Sequence, residues 1–318
     1  MRKLTLSPAL SQILGGRKPI DWARLKASEC IKDSNQDDAE RIDLKPILKL
    51  RRIKRPIKID ESLKSIAKLI PENDGFKILV NKSLVGKFSK AHWRFTIAHE
   101  IGHTFFFNFN EKPFRRISSH NFIDNMEERL CDIFAAELLM REELVKKNFY
   151  ELANDNILVS LDLISKKFDV SFDAISIRII NVLSLWNGIL LVCKWMPKEG
   201  MFSINKEDSA WRIYWSVCPS LIQKKVFIPK PTSYRKFYPS LKWKEFDLIA
   251  SNLEPGKPKE FSISFKDMGR IGNIRKILKE KYGEKTEYQV QVMAIPSTLS
   301  SKNQCNRRQS IAIAIPLD

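Results

Sequence analysis

The chain has 318 residues, 43% of them hydrophobic and 29% charged, with a formal net charge of +18. That length allows two domains, or one large domain with an appendage, and the balance is that of a soluble globular protein. No apolar run approaches the ~18 residues a membrane span needs, and the start, MRKLTLSPALSQILGG, has a short apolar part broken by Ser and Gln, unlike a secretory leader, so a cytoplasmic location and no membrane association are expected.

In chain order, residues 1–44 read as a polar extension with a helix around Ile20–Ile31 and an acidic stretch, DSNQDDAERID. KPILKLRRIKRPIK, Lys45–Lys58, has seven basic residues and no acidic one, which predicts a solvated face or a nucleic-acid contact. DESLKSIAKLI, Asp60–Ile70, has helical apolar spacing; Pro71 and Gly75 then break the chain before the strand FKILVNKS. A helix from about Ser89 is followed by a loop and by a second apolar helix, Asn125–Met140, which a capping box of Asp124 and Glu127 would start. SLDLISKKFDVSFDAISIRIINVLSL outlines two short helices around a turn; with Arg178 its only basic residue, the second is a poor reader of base edges.

From Trp186 the pattern changes to strands: GILLVCKW, WRIYWSV, EFSISF, EYQVQVMAIP and QSIAIAIPL, with one helical stretch, MGRIGNIRKILKEKYG. Residues 186–318 hold 23 Lys and Arg against 12 Asp and Glu, so much of the excess charge lies there. A field of that sign draws polyanions or acidic protein surfaces. The five cysteines, Cys30, Cys131, Cys193, Cys218 and Cys305, are odd in number, scattered and without a C-x-x-C pair, which predicts buried inert thiols.

The chemistry is concentrated in FTIAHEIGHTFFF, Phe95–Phe107. Positions i and i+4 of a helix share a face, so His99 and His103 can aim two imidazole nitrogens at one point. Zinc suits such a pair, and a catalytic zinc takes three protein ligands and leaves a fourth position for water. Glu100, beside the first ligand, can reach that water as a general base. With four histidines in the chain, all between His92 and His120, a chance H-E-x-x-H is expected only about 0.003 times.

The second helix offers the third ligand in EERLCD: Glu128 and Asp132 lie four apart in an otherwise apolar helix, where unpaired carboxylates would be costly. The economical arrangement has Glu128 on zinc and Asp132 bonded to the outer nitrogen of a ligating histidine. Glu127 is the rival ligand, and its capping role argues against it. No residue stands out to stabilise an oxyanion; His120 and Tyr150 are candidates.

RFTIAHEIGH (Arg94–His103), the later ExxCDxFAAELLM (Glu128–Met140) and the preceding ILVN strand resemble the ImmA/IrrE family of metallopeptidases, zincin-like intracellular enzymes that cleave helix-turn-helix repressors. The resemblance covers Asn81–Met140 and, more weakly, FDVSFDAISIRI. It implies zinc on His99, His103 and Glu128, with Glu100 catalytic. Arg141 stands where the family usually has proline, and Cys131 and Asp132 where it often has alanine and asparagine.

The expected fold class is α+β. A mainly helical zincin-like domain (45–155) would be followed by a helix-turn-helix-like segment (156–185) and a separate strand-rich α+β domain (186–318), the place a GAF-like sensor module takes in some relatives. The expected function is a zinc endopeptidase cleaving a helix-turn-helix repressor. The alternatives are a non-proteolytic DNA- or protein-binding regulator with a structural zinc site, and a zinc hydrolase acting on something other than protein.

Overall fold

The computed structural model describes residues 8–54, 57–86, 88–112, 114–117, 125–152, 156–197, 209–220, 243, 245–264, 287–296 and 309–317. Its architecture is α+β, and the chain divides into two units, Met1–Leu144 with Lys167–Val170, and Val145–Lys166 with Ser171–Asp318.

The first unit opens with α1 (Pro8–Leu14), α2 (Pro19–Asp33) and α3 (Leu44–Leu50). Pro19 suits the first turn of α2, where no amide is needed, and Trp22, Ala23, Ala27, Cys30 and Ile31 form its buried face. The basic run is split by burial. Lys45, Lys49, Arg52, Lys54 and Lys58 are exposed, whereas the Arg51 guanidinium lies 3.9 Å from the Phe105 ring centroid and its Nε donates to Thr104 Oγ1 at 2.8 Å.

Residues 60–70 are not the helix their spacing predicts. Asp60 Oδ1 accepts from the Ser62 amide and hydroxyl, a local turn that competes with helix, and Ala67–Pro71 is strand β2 with Ala67 and Leu69 buried and Lys68 exposed. Period-two burial prevails because β2 pairs antiparallel with β3 (Phe76–Asn81), setting Leu69 opposite Ile78. β1 (Lys58–Asp60) pairs parallel on the other side of β3, so the order is β1-β3-β2 and β2 is an edge. Gly75 is required before β3: a Cβ there would lie 2.4 Å from the Arg52 carbonyl oxygen, which accepts the Phe76 amide.

α4 (Lys90–His103) and α5 (Asn125–Leu139) pack against each other, and α2 packs on α5. Between them β4 (Phe107–Asn108) and β5 (Arg115–Arg116) form a small antiparallel pair. Ser89 caps α4 by accepting the His92 amide at 3.2 Å. Asp124, the expected cap of α5, lies outside the described residues, as does His120.

Most of α6 (Glu142–Glu151) and α7 (Ile157–Phe168) and all of α8 (Phe172–Ser176) belong to the second unit, and the chain continues from α8 as a π-helical turn, Ile177–Val182. Arg178 is buried there, which removes the segment's one basic side chain from any base-reading role. The five expected strands are present as β6 (Gly188–Met196), β7 (Ala210–Val217), β8 (Lys259–Ser264), β9 (Glu287–Pro296) and β10 (Gln309–Pro316). They form an antiparallel sheet in the order β7-β6-β10-β9-β8. Ile311–Ile315 are buried on both faces, which explains why the central strand reads as a continuous apolar run. Trp243, Phe246, Ala250 and Leu253 cover one face. The expected helix at MGRIGNIRKILKEKYG lies outside the described residues, and so does Cys305; Cys30, Cys131, Cys193 and Cys218 are buried free thiols.

Lys194 on β6 is buried with its ammonium 3.8 Å from the Tyr214 ring centroid. Burial, opposed by Asp173, lowers its pKa to about 8. The folded state thus sheds this proton between about pH 8 and the ordinary value near 10.5, where the unfolded chain still holds it, so the contribution to stability rises with pH across that window. Urea unfolding should therefore show wild type gaining on Lys194→Met by on the order of 1–3 kcal/mol from pH 7.5 to 10. A difference that stays flat with pH would refute the assignment.

Candidate metal centre

α4 is amphipathic only in part, because its C-terminal half is enclosed: Ala98, Glu100, Ile101, Gly102 and His103 are all buried. Gly102 sets the distance to α5. A Cβ on it would lie 3.2 Å from Cys131 Cα and from Phe134 Cδ1, so any other residue would require α5 to give by a few tenths of an ångström. That approach brings the carboxylates of α5 to the imidazoles of α4.

His99 Nε2 and His103 Nε2 are 3.1 Å apart. Glu128 reaches both, with Oε2 3.2 Å from His99 Nε2 and Oε1 3.5 Å from His103 Nε2. Each outer nitrogen has its own carboxylate: His99 Nδ1 is 2.9 Å from Asp132 Oδ1, and His103 Nδ1 is 2.9 Å from Glu127 Oε1. An anionic acceptor at each Nδ1 fixes the ring proton there and turns the Nε2 lone pairs inward. Two lone pairs and a carboxylate then face one another, an arrangement that repels itself unless a cation sits among them. The spacing fits, since two nitrogens bound to tetrahedral zinc at about 2.0–2.1 Å lie about 3.3–3.4 Å apart.

The titration of the cluster reflects the same electron-rich centre. Burial alone would lower the His99 pKa, but hydrogen bonds to Asp132 and Glu128 override it and raise it to about 9. The hydrogen bond with His99 holds the Glu128 carboxyl below its ordinary range against the effect of burial. The thiol of Cys131 also lies within 4.8 Å of the imidazole nitrogens. Burial, reinforced by Glu127 and Glu128, pushes that thiol well above its ordinary pKa, which makes it the poorer donor beside an ionised carboxylate.

Glu100 accepts a hydrogen bond from the Leu69 backbone of the edge strand and is 6% exposed. Burial raises its pKa, opposed by His103, His99 and the backbone of Leu69 on β2. A carboxylate whose pKa is shifted upward is the better proton acceptor beside a metal position. Together with the histidines and Glu128 it lines a cleft of about 520 Å³, whose opposite wall is Ser62–Ser65 and the edge of β2.

The structure thus brings together His99, Glu100, His103, Glu128 and Asp132. Tyr150 is 67% exposed and does not line the cleft. His92 is drawn elsewhere, stacked on Phe88 at 4.1 Å. Glu127 has a part that sequence reasoning missed: its carboxylate, 2% exposed, bonds His103 and is ion-paired with Arg116. The available signal was that two ligating histidines need two outer acceptors, so α5 must supply three carboxylates.

Residues 79–179 match the family model described as the IrrE N-terminal-like domain, peptidase M78. This stretch is similar to IrrE N-terminal-like domains. The matched residues include α4 and α5, and with them every residue of the cluster. No curated protein matches the chain in sequence. A solved structure described as a Mycobacterium tuberculosis transcriptional regulator aligns over 93% of this chain and 88% of its own, at 13% identity and a TM-score of 0.39, a likeness too slight to define a shared fold. Among the described residues no helix is long and apolar enough to cross a membrane.

Gly102→Ala tests the role of helix proximity. Alanine favours helix by about 1 kcal/mol over glycine, but the added methyl must push against the Cα of Cys131. Zinc affinity, measured by competition with a chelating dye, should fall severalfold while helix content holds. Unchanged affinity would show that the close approach does not govern the site.

Proposed function

We propose that the protein is a zinc-dependent endopeptidase that cleaves a helix-turn-helix transcriptional repressor. The observation that carries the zinc site is the convergence of two inward-facing Nε2 atoms and the Glu128 carboxylate within 3.1–3.5 Å, with both Nδ1 atoms already occupied. His99, His103 and Glu128 would hold the ion. When bound, zinc supplies Lewis-acid polarisation of the peptide carbonyl and acidifies a water molecule. Asp132 and Glu127 hold the ring orientations and tautomers. Glu100 takes a proton from the attacking water and passes it to the leaving nitrogen.

A structural zinc site has no use for Glu100, a buried carboxylate set in the cleft without serving as a ligand. That argues for hydrolysis over the regulator that merely retains its metal. Among the described residues β2 is an edge strand along the cleft, and the main-chain groups it presents beside the Leu69–Glu100 bond suit an extended peptide, so an exposed linker is the substrate segment expected. The repressor itself is inferred from the family resemblance, and the basic surface would help by bringing the enzyme to DNA or to an acidic partner.

The test is to co-express the chain with any repressor gene encoded beside it and to look for fragments that depend on Glu100. Fragments of equal yield with wild type and Glu100→Gln would exclude this chain as the protease.

A further inference from the structure

Arg116 has a place in the cleft that the reading above does not use. β5 is held against the end of α4 by its pairing with β4, Arg116 opposite Phe107, and by the Ile117 amide donating to the Phe106 carbonyl at 2.8 Å. Phe106 is fully buried, so the hairpin is anchored. The guanidinium lies 5.7 Å from the Phe107 ring centroid, and one terminal nitrogen is tied to Glu127, the carboxylate that also holds His103. Its Nε is sealed from solvent and has no acceptor among the described residues. The side chain borders the cleft together with Glu100, His99, His103 and Glu128.

The result is an anchored cation, its side chain 22% exposed and bordering the cleft, with its Nε still without an acceptor among the described residues, beside four carboxylates, Glu100, Glu127, Glu128 and Asp132. Negative charge developing in such surroundings is disfavoured unless a donor is aimed at it. Lys64 and Lys68 also border the cleft, but both are exposed and lack any comparable anchor.

We propose that Arg116 is a catalytic residue that donates to the carbonyl oxygen of the scissile peptide as that oxygen becomes negative. This rests on the hydrolytic reading. The water oxygen bonds to the carbonyl carbon, its proton passes to Glu100, and the C=O π pair moves onto the oxygen held by Arg116. When the C–N bond breaks, that pair re-forms the carbonyl and the nitrogen leaves with the proton from Glu100. A preorganised donor of this kind is worth about 10²–10³-fold in turnover.

The test uses cobalt(II) in place of zinc, read by its visible absorption, and inorganic phosphate as a tetrahedral oxyanion. Cobalt uptake by wild type checks the metal reading separately; failure there overturns that reading, and the proposal with it. With cobalt bound, phosphate should shift the spectrum of wild type, and Arg116→Met should weaken phosphate at least tenfold. Arg116→Lys, which keeps the charge beside Glu127 but loses the planar array of donors, should weaken it severalfold with cobalt affinity intact, and it serves if the Met variant does not fold. Phosphate that leaves the wild-type spectrum unchanged, or binds all variants equally, overturns the proposal. Variants that bind cobalt more weakly but, once loaded at higher cobalt, bind phosphate as wild type does also overturn it, because Arg116 would then act only by positioning His103 through Glu127.

Discussion

Glu100→Gln is expected to retain a full complement of zinc and to lose about 10²–10⁴-fold in cleavage rate, the contribution typical of a positioned general base. The substitution is nearly isosteric, and the glutamine carbonyl can still accept from the β2 backbone, so the fold and the ligand geometry should persist. What disappears is the capacity to take a proton. Glu100 is buried and its pKa is raised by that burial, so replacing it with a neutral amide removes a costly charge, and thermal stability should be equal or slightly higher. Zinc per chain by atomic emission, a melting curve and fragment yield together separate this outcome from misfolding. A Gln variant with wild-type turnover would remove Glu100 from the chemistry.

Removing the ligands and their partners should produce a graded series in zinc affinity. Glu128→Ala deletes the third donor and should cost more than 100-fold. Glu127→Gln should cost about 10–100-fold, the usual penalty for disturbing a ligand's hydrogen-bonded partner. It frees His103 to rotate and also leaves the Arg116 guanidinium without its anion. Asp132→Asn should cost less than Glu127→Gln, because Asp132 is 61% exposed and water can take its place at His99 Nδ1. Cys131→Ala should change little. The series is decisive between the two possible third donors: if Cys131→Ala released zinc while Glu128→Ala kept it, the thiolate would be the ligand.

The motif helix was legible because its chemistry is local. Two histidines four apart and a glutamate between them define one face whatever the surrounding fold, and the same holds for Glu128 and Asp132 on α5. The five strands of the second unit were legible from apolar runs bounded by polar segments. Residues 60–70 were not, because helical spacing at Leu63, Ile66, Ala67 and Ile70 competes with pairing to β3, and that pairing is a tertiary fact. Glu127 reads as part of a helix cap because its partners, His103 and Arg116, are 24 and 11 residues away and reach it only once the helices pack. Arg51 reads as part of a solvated basic run for the same reason: the rings that bury it, Phe105 and Phe109, lie beyond the motif helix.

Because β2 pairs with β3 alone among the described strands, what it offers to an incoming chain is peptide groups, and peptide groups are the same in every protein. A cleft built on such a border cannot tell one sequence from another by that contact. Discrimination would fall instead on whether a target can surrender a few residues from its own folded structure, so the protein chosen for cutting would be the one whose connecting segment melts most easily, and any signal that loosens that segment would act as the switch.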